Sequence, residues 1–529
     1  MNITKKISYL IIKNQRNLRS IFCFLFIPCL LFSQPKDSIA ERYSKNISTI
    51  DMSKNLHVLA SDEYEGRETG QKGQKMAAAY IANQFKASGI PPYKEDTYYQ
   101  QFLFNVISSG STEVFIKRKQ YIVNKDYYKF PEQTEQHIET EKILFLGYGI
   151  EDDKYDDYKG VDVKNKVVMI LAGEPFSADS LSLITGKKSK SLWTSYAKLK
   201  TEKARESGVR ALLIVVDDIA KDLVENKHRI ESPALKLELN NDEMFIIYIS
   251  RQMADDILKK ENVESIRKKI SITRAPYSSE IKKKLVINIK NGTQKIGSEN
   301  VLGFVEGSDL KEELIVISAH YDHLGMNGKT VFNGADDDGS GTVAVIELAK
   351  TFAKAKKEGH GPRRSILFMT VTGEEKGLLG SAYYVKNPVY PLKNTVCDLN
   401  IDMIGRQDPK HENNPDYVYL IGSDKLSSAL HSISEKANTT YSNLELDYTY
   451  NDENDKNRFY YRSDHYNFAK KGIPVIFYFN GVHADYHKET DEVEKINFDK
   501  MKKITRLVFF TAWELANRDE RIKVDSYKR

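Results

Sequence analysis

Cysteine is scarce in this chain, with three among 529 residues. Two of them, Cys23 and Cys29, fall in the first 34 residues, so the remainder keeps Cys397 alone and can form no internal disulfide. A disulfide-stapled scaffold is thereby excluded, and stability has to come from a packed core, which a chain of this length can build. Cys397 stands between Val396 and Asp398 in an otherwise apolar stretch and reads as a packed residue rather than a nucleophile. An excess of one charge is missing as well. The formal charge is +5, and Lys5, Lys6, Lys13, Arg16 and Arg19 of an acid-free first segment account for all of it. The rest is neutral overall, so the chemistry gives no reason to expect a nucleic-acid partner. Internal repeats and low-complexity tracts are absent too, which excludes a solenoid or a linker-like protein.

Long apolar runs are also lacking. The stretch from Ile21 to Phe32 is broken by Pro28 and is short for a membrane span. With the basic residues before it, it reads as a secretory signal over residues 1–34, with cleavage near Ser33-Gln34. The expectation is an exported protein, periplasmic or extracellular, with no stable membrane insertion once the signal is removed.

What remains is 40% apolar and 29% charged, the balance of a globular protein. Residues 39–105 read as helical, with an apolar stripe from Met76 to Ala87 that ends at Gly89. Residues 113–140 are polar and read as a connection. Residues 141–285 carry short buried-strand patterns at Ile143–Gly149, Lys166–Leu171 and Ala211–Val216, and form a small β-rich block. No His, Asp or Glu clusters on its apolar elements, and its charged stretches near Lys187 and Glu280 read as solvated loops. From 286 onward, apolar strands at Leu314–Ser318, Ser365–Val371, Tyr417–Ile421 and Pro474–Phe479 alternate with helical segments. That pattern predicts an α/β fold: a mixed, mostly parallel sheet with helices on both faces. The expected divisions after the signal are therefore 35–140, 141–285 and 286–529.

The chemistry-bearing residues follow the strands. His320 and Asp322 come after Leu314–Ser318, and Asp336, Asp337 and Asp338 open the next helix. Glu374 and Glu375 follow Ser365–Val371. Asp402 follows Val396–Ile401, and His483 and His487 follow Pro474–Phe479. In open α/β sheets, ligands gather at the carboxyl ends of strands. One strand-end aspartate is usually a helix cap, but five such motifs on strand ends are hard to explain as capping. Carboxylates and imidazoles brought together there need a positive partner, and a divalent metal is the usual one.

These motifs resemble the dizinc exopeptidases of metallopeptidase family 28, of the bacterial leucyl aminopeptidase type. His320-Tyr-Asp322, Gly334-Ala-Asp-Asp-Asp-Gly-Ser-Gly341, Gly373-Glu-Glu-Lys-Gly-Leu-Leu-Gly-Ser381, Asp402-Met-Ile-Gly405, Arg462-Ser-Asp-His465 and Tyr486-His487 appear in the family's order. The string from Leu59 to Gly70 resembles exported members, and 141–285 resembles the protease-associated domain inserted in some of them. The resemblance implies two Zn²⁺ per chain: His320 and Asp402 on one, Glu375 and His487 on the other, and Asp337 bridging. It implies Asp322 as the carboxylate holding the His320 ring, and Glu374 as general base. Three carboxylates and two neutral imidazoles against two dications leave one positive charge, which a hydroxide neutralises. Tyr486, Tyr460 and Tyr461 are candidates for the oxyanion donor, and Arg462 for substrate binding. His483 competes with His487 as a ligand, while His323 and His465 are expected to be supporting residues. The side-chain pocket is expected on the loops around Arg406–Pro415 and Thr440–Asn457.

The activity implied is removal of the first residue of peptide substrates. A carboxypeptidase or dipeptidase of the same family is the enzymatic alternative. Members resembling glutamate carboxypeptidases carry Asp-Pro where this chain has Asp337-Asp338, which favours the aminopeptidase. A glutaminyl cyclase of related fold, and a non-catalytic binding protein that would hold no zinc, are the readings from other classes.

Overall fold

A computed structural model describes residues 36–526 except 95, 109, 134, 240–242 and 260. The expected signal segment, 1–34, lies outside the described residues. Among those residues no helix is long and apolar enough to cross a membrane.

The larger sheet has nine strands, in the order Ala234–Lys236, Tyr99–Ser108, Gly292–Val305, Arg364–Val371, Leu310–His320, Thr395–Ile401, Val475–Phe479, Tyr417–Ile421 and Glu445–Asp447. The four strands from Arg364–Val371 to Val475–Phe479 run parallel, and the pairings that flank them are antiparallel. The sheet is therefore mixed, with its parallel part at the centre. Those central strands are buried on both faces, as their continuous apolar sequences demand. Ile315, Ile317, Ile366 and Phe368 face one side and pack with the helices Gly341–Lys357 and Phe498–Asn517. Leu314, Val316, Leu367 and Met369 face the other, against Tyr384 of Leu379–Lys386 and Phe468 of His465–Ala469.

The second sheet has eight strands, from Thr112–Ile116 to Ser278–Ile289, with its own apolar core. Two sequence expectations are corrected here. Residues 113–140 are not a plain connection: Thr112–Ile116, Lys119–Tyr121 and Tyr127–Tyr128 are strands of the smaller sheet, which therefore starts well before 141. Val114, Ile116 and Tyr121 supply the buried side, while charged neighbours on the solvent side hide the alternation. Residues 99–108 are not helical but a strand paired along its whole length with Gly292–Val305, burying Phe102, Phe104 and Ile107. Strand Ala234–Lys236, from within the inserted segment, adds to the outer side of that strand.

Phe352 joins the layers: its buried ring meets Phe368 of the sheet and Phe509 and Trp513 of the C-terminal helix, at centroid distances of 6.0, 5.0 and 5.9 Å. Phe352→Ala is expected to lower unfolding stability by about 3–5 kcal/mol, as removal of a core aromatic does. Denaturant titration of the two proteins checks this.

Candidate metal centre

The strand Leu310–His320 ends on His320, which is buried. Its Nδ1 lies 3.0 Å from the main-chain oxygen of Asp322, and the Asp322 carboxylate stands back at 3.8 Å. The ring is thus oriented by Asp322, but through the carbonyl and not the side chain as the sequence suggested. The carboxylate instead accepts hydrogen bonds from the Thr69 hydroxyl at 2.6 Å and the Glu374 N–H at 3.2 Å. It couples the first strand end to the next.

The aspartate triplet divides its labour. Asp338 accepts the backbone N–H groups of His320, Gly341 and Met403 at 3.2, 2.8 and 3.0 Å. Asp336 accepts that of Gly405 at 2.6 Å. Both brace neighbouring loops. Asp337, between them, is turned toward two imidazoles: Oδ1 lies 3.2 Å from His320 Nε2 and Oδ2 lies 3.1 Å from His487 Nε2. Gly341 is required by this packing, because a Cβ there would come within 2.5 Å of both Asp338 carboxylate oxygens.

The remaining expected residues close around Asp337. Asp402 Oδ1 lies 3.7 Å from His320 Nε2, on one side, and Glu375 Oε2 lies 3.3 Å from His487 Nε2, on the other. Glu374 Oε2 is 4.0 Å from His320 Nε2. Asp402 is steadied by the Ser463 hydroxyl at 2.6 Å, which in turn accepts from Asn400 at 2.8 Å. His483 is not part of this set: its Nε2 lies 3.2 Å from Asp336, which leaves His487 as the histidine of the centre. His323 contributes more than expected, since its Nδ1 lies 2.9 Å from Glu375 Oε1. His465 is buried against Phe477, and burial pushes its imidazole down to about 3.

Two clusters of possible ligand atoms, each within 4.8 Å, fall here: His320 with Asp338 and Asp402, and His323 with Asp337 and Glu375. Asp338 is the weaker member of the first, since backbone N–H groups occupy both of its oxygens. Buried Glu375 Oε1 and His323 Nδ1 face each other at 2.9 Å without hydrogen-bond alignment, and His323 Nε2 has no partner either. Imidazole nitrogens and carboxylate oxygens in this mix, with polar atoms left orphaned, fit zinc.

Electrostatics point the same way. Burial pushes the His487 imidazolium down, but the Asp337 and Glu375 carboxylates outweigh it and raise it to about 10. Burial drives the Glu374 carboxyl well above the usual range, helped by Glu375 and Asp402 and opposed by His320. Sequence reasoning assigned no role to Arg67. Its guanidinium is fully buried and donates to the carbonyls of Tyr321, Leu59, Asn333 and Gly334 at 2.8, 2.7, 2.6 and 2.9 Å. It places a fixed cation under the loop that carries Asp337. Asp491 accepts the backbone N–H groups of Asp336 and Asp337, each at 3.1 Å, from the opposite side.

The centre opens into a cleft of about 30 Å³. Its polar end holds His320, Asp337, Glu374, Asp402 and His487, and its apolar wall is Met403, Phe459, Phe477, Phe479 and Val482. That wall comes from the strand Val475–Phe479, from Val482 and Met403 just past strands, and from the turn Phe459–Tyr461, so the expected placement of the pocket on the loops 406–415 and 440–457 is corrected. Tyr486 and Arg462 line the cleft, with Arg462 Nη2 3.2 Å from the Tyr486 hydroxyl. The Tyr486 ring stacks on His487 at 3.8 Å, and burial raises its hydroxyl so that it stays protonated. Tyr460 and Tyr461 do not line the cleft. Tyr460 packs on His465 and Tyr466, and Tyr461 on Tyr466 and Arg458.

Residues 300–512 match Peptidase family M28. A probable leucine aminopeptidase of Arthroderma otae is 32% identical over 214 residues, 39% of this chain and 55% of that protein. An aminopeptidase of Bacillus subtilis is 25% identical over 234 residues, 43% of this chain and 46% of that protein. The chain spans about half the length of the curated relatives it matches. A solved aminopeptidase from Aneurinibacillus sp. strain AM-1 superposes with a TM-score of 0.55 over 93% of this chain and 100% of that one. At 19% identity this likeness speaks to the fold.

Two outcomes follow from this geometry. The proton on His487 must leave before a metal takes its nitrogen, so zinc binding releases protons and weakens as pH falls, by roughly tenfold per unit for each proton displaced. Calorimetry at several pH values, in buffers of different ionisation heat, measures both. Arg67→Leu strands four carbonyls and removes the buried cation, and is expected to cost about 3–5 kcal/mol of stability, read from denaturant unfolding.

Proposed function

We propose that this chain is an exported aminopeptidase that removes the first residue of peptides at a centre of two zinc ions. The observation that carries the reading is Asp337, whose two oxygens face His320 and His487 at 3.2 and 3.1 Å, with Asp402 and Glu375 on either side. His320 and Asp402 would hold one ion, Glu375 and His487 the other, and Asp337 both. Zinc held there supplies Lewis acidity and makes water a nucleophile near neutral pH.

The protein's own groups do the rest. Glu374 faces the cleft, with His320 Nε2 at 4.0 Å, and takes the proton of the attacking water. Its raised affinity for a proton suits it to hold that proton and pass it to the leaving amine. The Tyr486 O–H, kept protonated and backed by Arg462, is the donor nearest to hand for the developing oxyanion. The carboxylates of Glu374 and Asp402 hold the free amino group. The apolar wall supports a preference for a large apolar first residue. The basic stretch and short apolar run of residues 1–34 support export, and the inserted β-rich unit is read as protease-associated-like.

The experiment compares free, N-acetylated and C-amidated forms of one peptide. The free and C-amidated forms are expected to be cut and the acetylated form spared; the opposite pattern overturns the reading in favour of a carboxypeptidase. Glu374→Gln is expected to lower kcat by about 10²–10⁴ while zinc per chain stays unchanged. Loss of zinc in that variant would make Glu374 a ligand instead.

A further inference from the structure

A second group of ligand atoms lies apart from the cleft. His411, Glu445 and Asp447 each offer one atom within 4.8 Å of the others. His411 ends the turn Pro409–His411, which follows the loop leaving Asp402. Asp408 caps that turn, accepting the His411 N–H at 3.1 Å and the ring Nδ1–H at 2.8 Å. A carboxylate can only accept, so Nδ1 carries the proton and Nε2 of the neutral ring turns its lone pair away from Asp408. The other Asp408 oxygen accepts the Tyr419 hydroxyl at 2.6 Å, and the ring lies flat on Tyr417 at 3.6 Å. A histidine fixed by a carboxylate on one nitrogen, with the other left free, is how proteins prepare this side chain for a metal.

The free nitrogen points at acids. His411 Nε2 is buried without a hydrogen-bond partner, in a residue only 5% exposed. It lies 3.3 Å from Asp447 Oδ2 and 3.8 Å from Glu445 Oε1. Glu445 and Asp447 are alternate residues of one short edge strand, so both side chains leave the same face. Protein donors engage the far oxygens: Asn414 binds Glu445 Oε2 at 2.8 Å and the Thr449 N–H binds Asp447 Oδ1 at 2.8 Å. Of the near oxygens, Glu445 Oε1 is left toward His411, and Asp447 Oδ2 is shared between His411 and Lys410, whose Nζ lies at 2.5 Å. Three carboxylates, Asp408, Glu445 and Asp447, against one lysine leave two negative charges, which a dication neutralises.

We propose that His411, Glu445 and Asp447 hold a further divalent ion of the zinc class, separate from the centre in the cleft. One imidazole nitrogen and two carboxylate oxygens suit a borderline transition ion better than calcium or magnesium, which prefer oxygen alone. Water fills the remaining position, and Glu445, with its side chain 56% exposed, marks the entry path. The ion fastens the turn at 409–411 to the edge strand at 445–447. Tyr419, tied to Asp408, packs on Tyr450 at 4.4 Å and Phe479 at 6.4 Å, so the fastening lies directly behind the apolar wall of the cleft.

The test uses the full chain, stripped by chelator, reloaded with Zn²⁺ alone, and counted by plasma mass spectrometry. Glu445→Gln and His411→Gln are each expected to hold about one ion fewer per chain than the unaltered protein, whereas Asp337→Asn keeps this ion and loses those of the cleft. Equal counts in the unaltered protein and in Glu445→Gln overturn the proposal. Glu445 is on the surface, so that variant decides the matter even if His411→Gln misfolds. The count also separates the two readings: a single ion per chain that vanishes in Glu445→Gln would uphold this site and remove the dizinc centre.

Discussion

Negative charge gathered at the carboxyl end of a parallel sheet is the constraint on which the rest of this structure depends. Asp322, Asp336, Asp337, Asp338, Glu374, Glu375, Asp402 and Asp491 come together where water is largely excluded. Uncompensated, such a group would force its members to take up protons or the loops to come apart. The fold answers with backbone N–H groups, which satisfy Asp338, Asp491 and one oxygen of Asp336, and with the buried guanidinium of Arg67. Asp337, Glu375 and Asp402 are left facing imidazoles, and that unmet charge is what a bound cation would offset.

This division explains why the architecture is arranged as it is. The parallel core puts three strand ends, at His320, Glu374 and Asp402, side by side, because Leu310–His320 lies between Arg364–Val371 and Thr395–Ile401. The helix that begins at Gly341 starts immediately after the triplet, so its first turn fixes Asp338 and through it the position of Asp337. The apolar wall lies beside it, where Phe477 and Phe479 leave the sheet next to the polar centre.

The sequence was most legible where chemistry and periodicity coincide. Strand–acid motifs located the neighbourhoods, the family resemblance picked out His320, Asp337, Glu375, Asp402 and His487 within them, and the structure brings all five together. Supporting contacts were opaque, because they depend on distance in space rather than spacing in sequence. Arg67 acts on carbonyls more than 250 residues away, and nothing in its local string says so, apart from the resemblance of Leu59–Gly70 to exported peptidases. Asp322 was recognised, but its carbonyl and its carboxylate exchange the expected tasks. Tyr460 and Tyr461 were chosen for nearness to Arg462, yet a tight turn carries both rings away from the cleft. The strands at 99–128 were missed because their polar faces dilute a pattern that only the buried faces carry.

The two margins of the large sheet show how its exposed hydrogen-bonding groups are managed. At one margin the three residues Ala234–Lys236, borrowed from the inserted segment, cover part of Tyr99–Ser108. At the other, Glu445–Asp447 is equally short and bears two acids. Neither margin offers a long, flat, apolar template to the strand of another molecule. A nine-stranded sheet that could otherwise grow by annexing its neighbours is thus terminated on both sides.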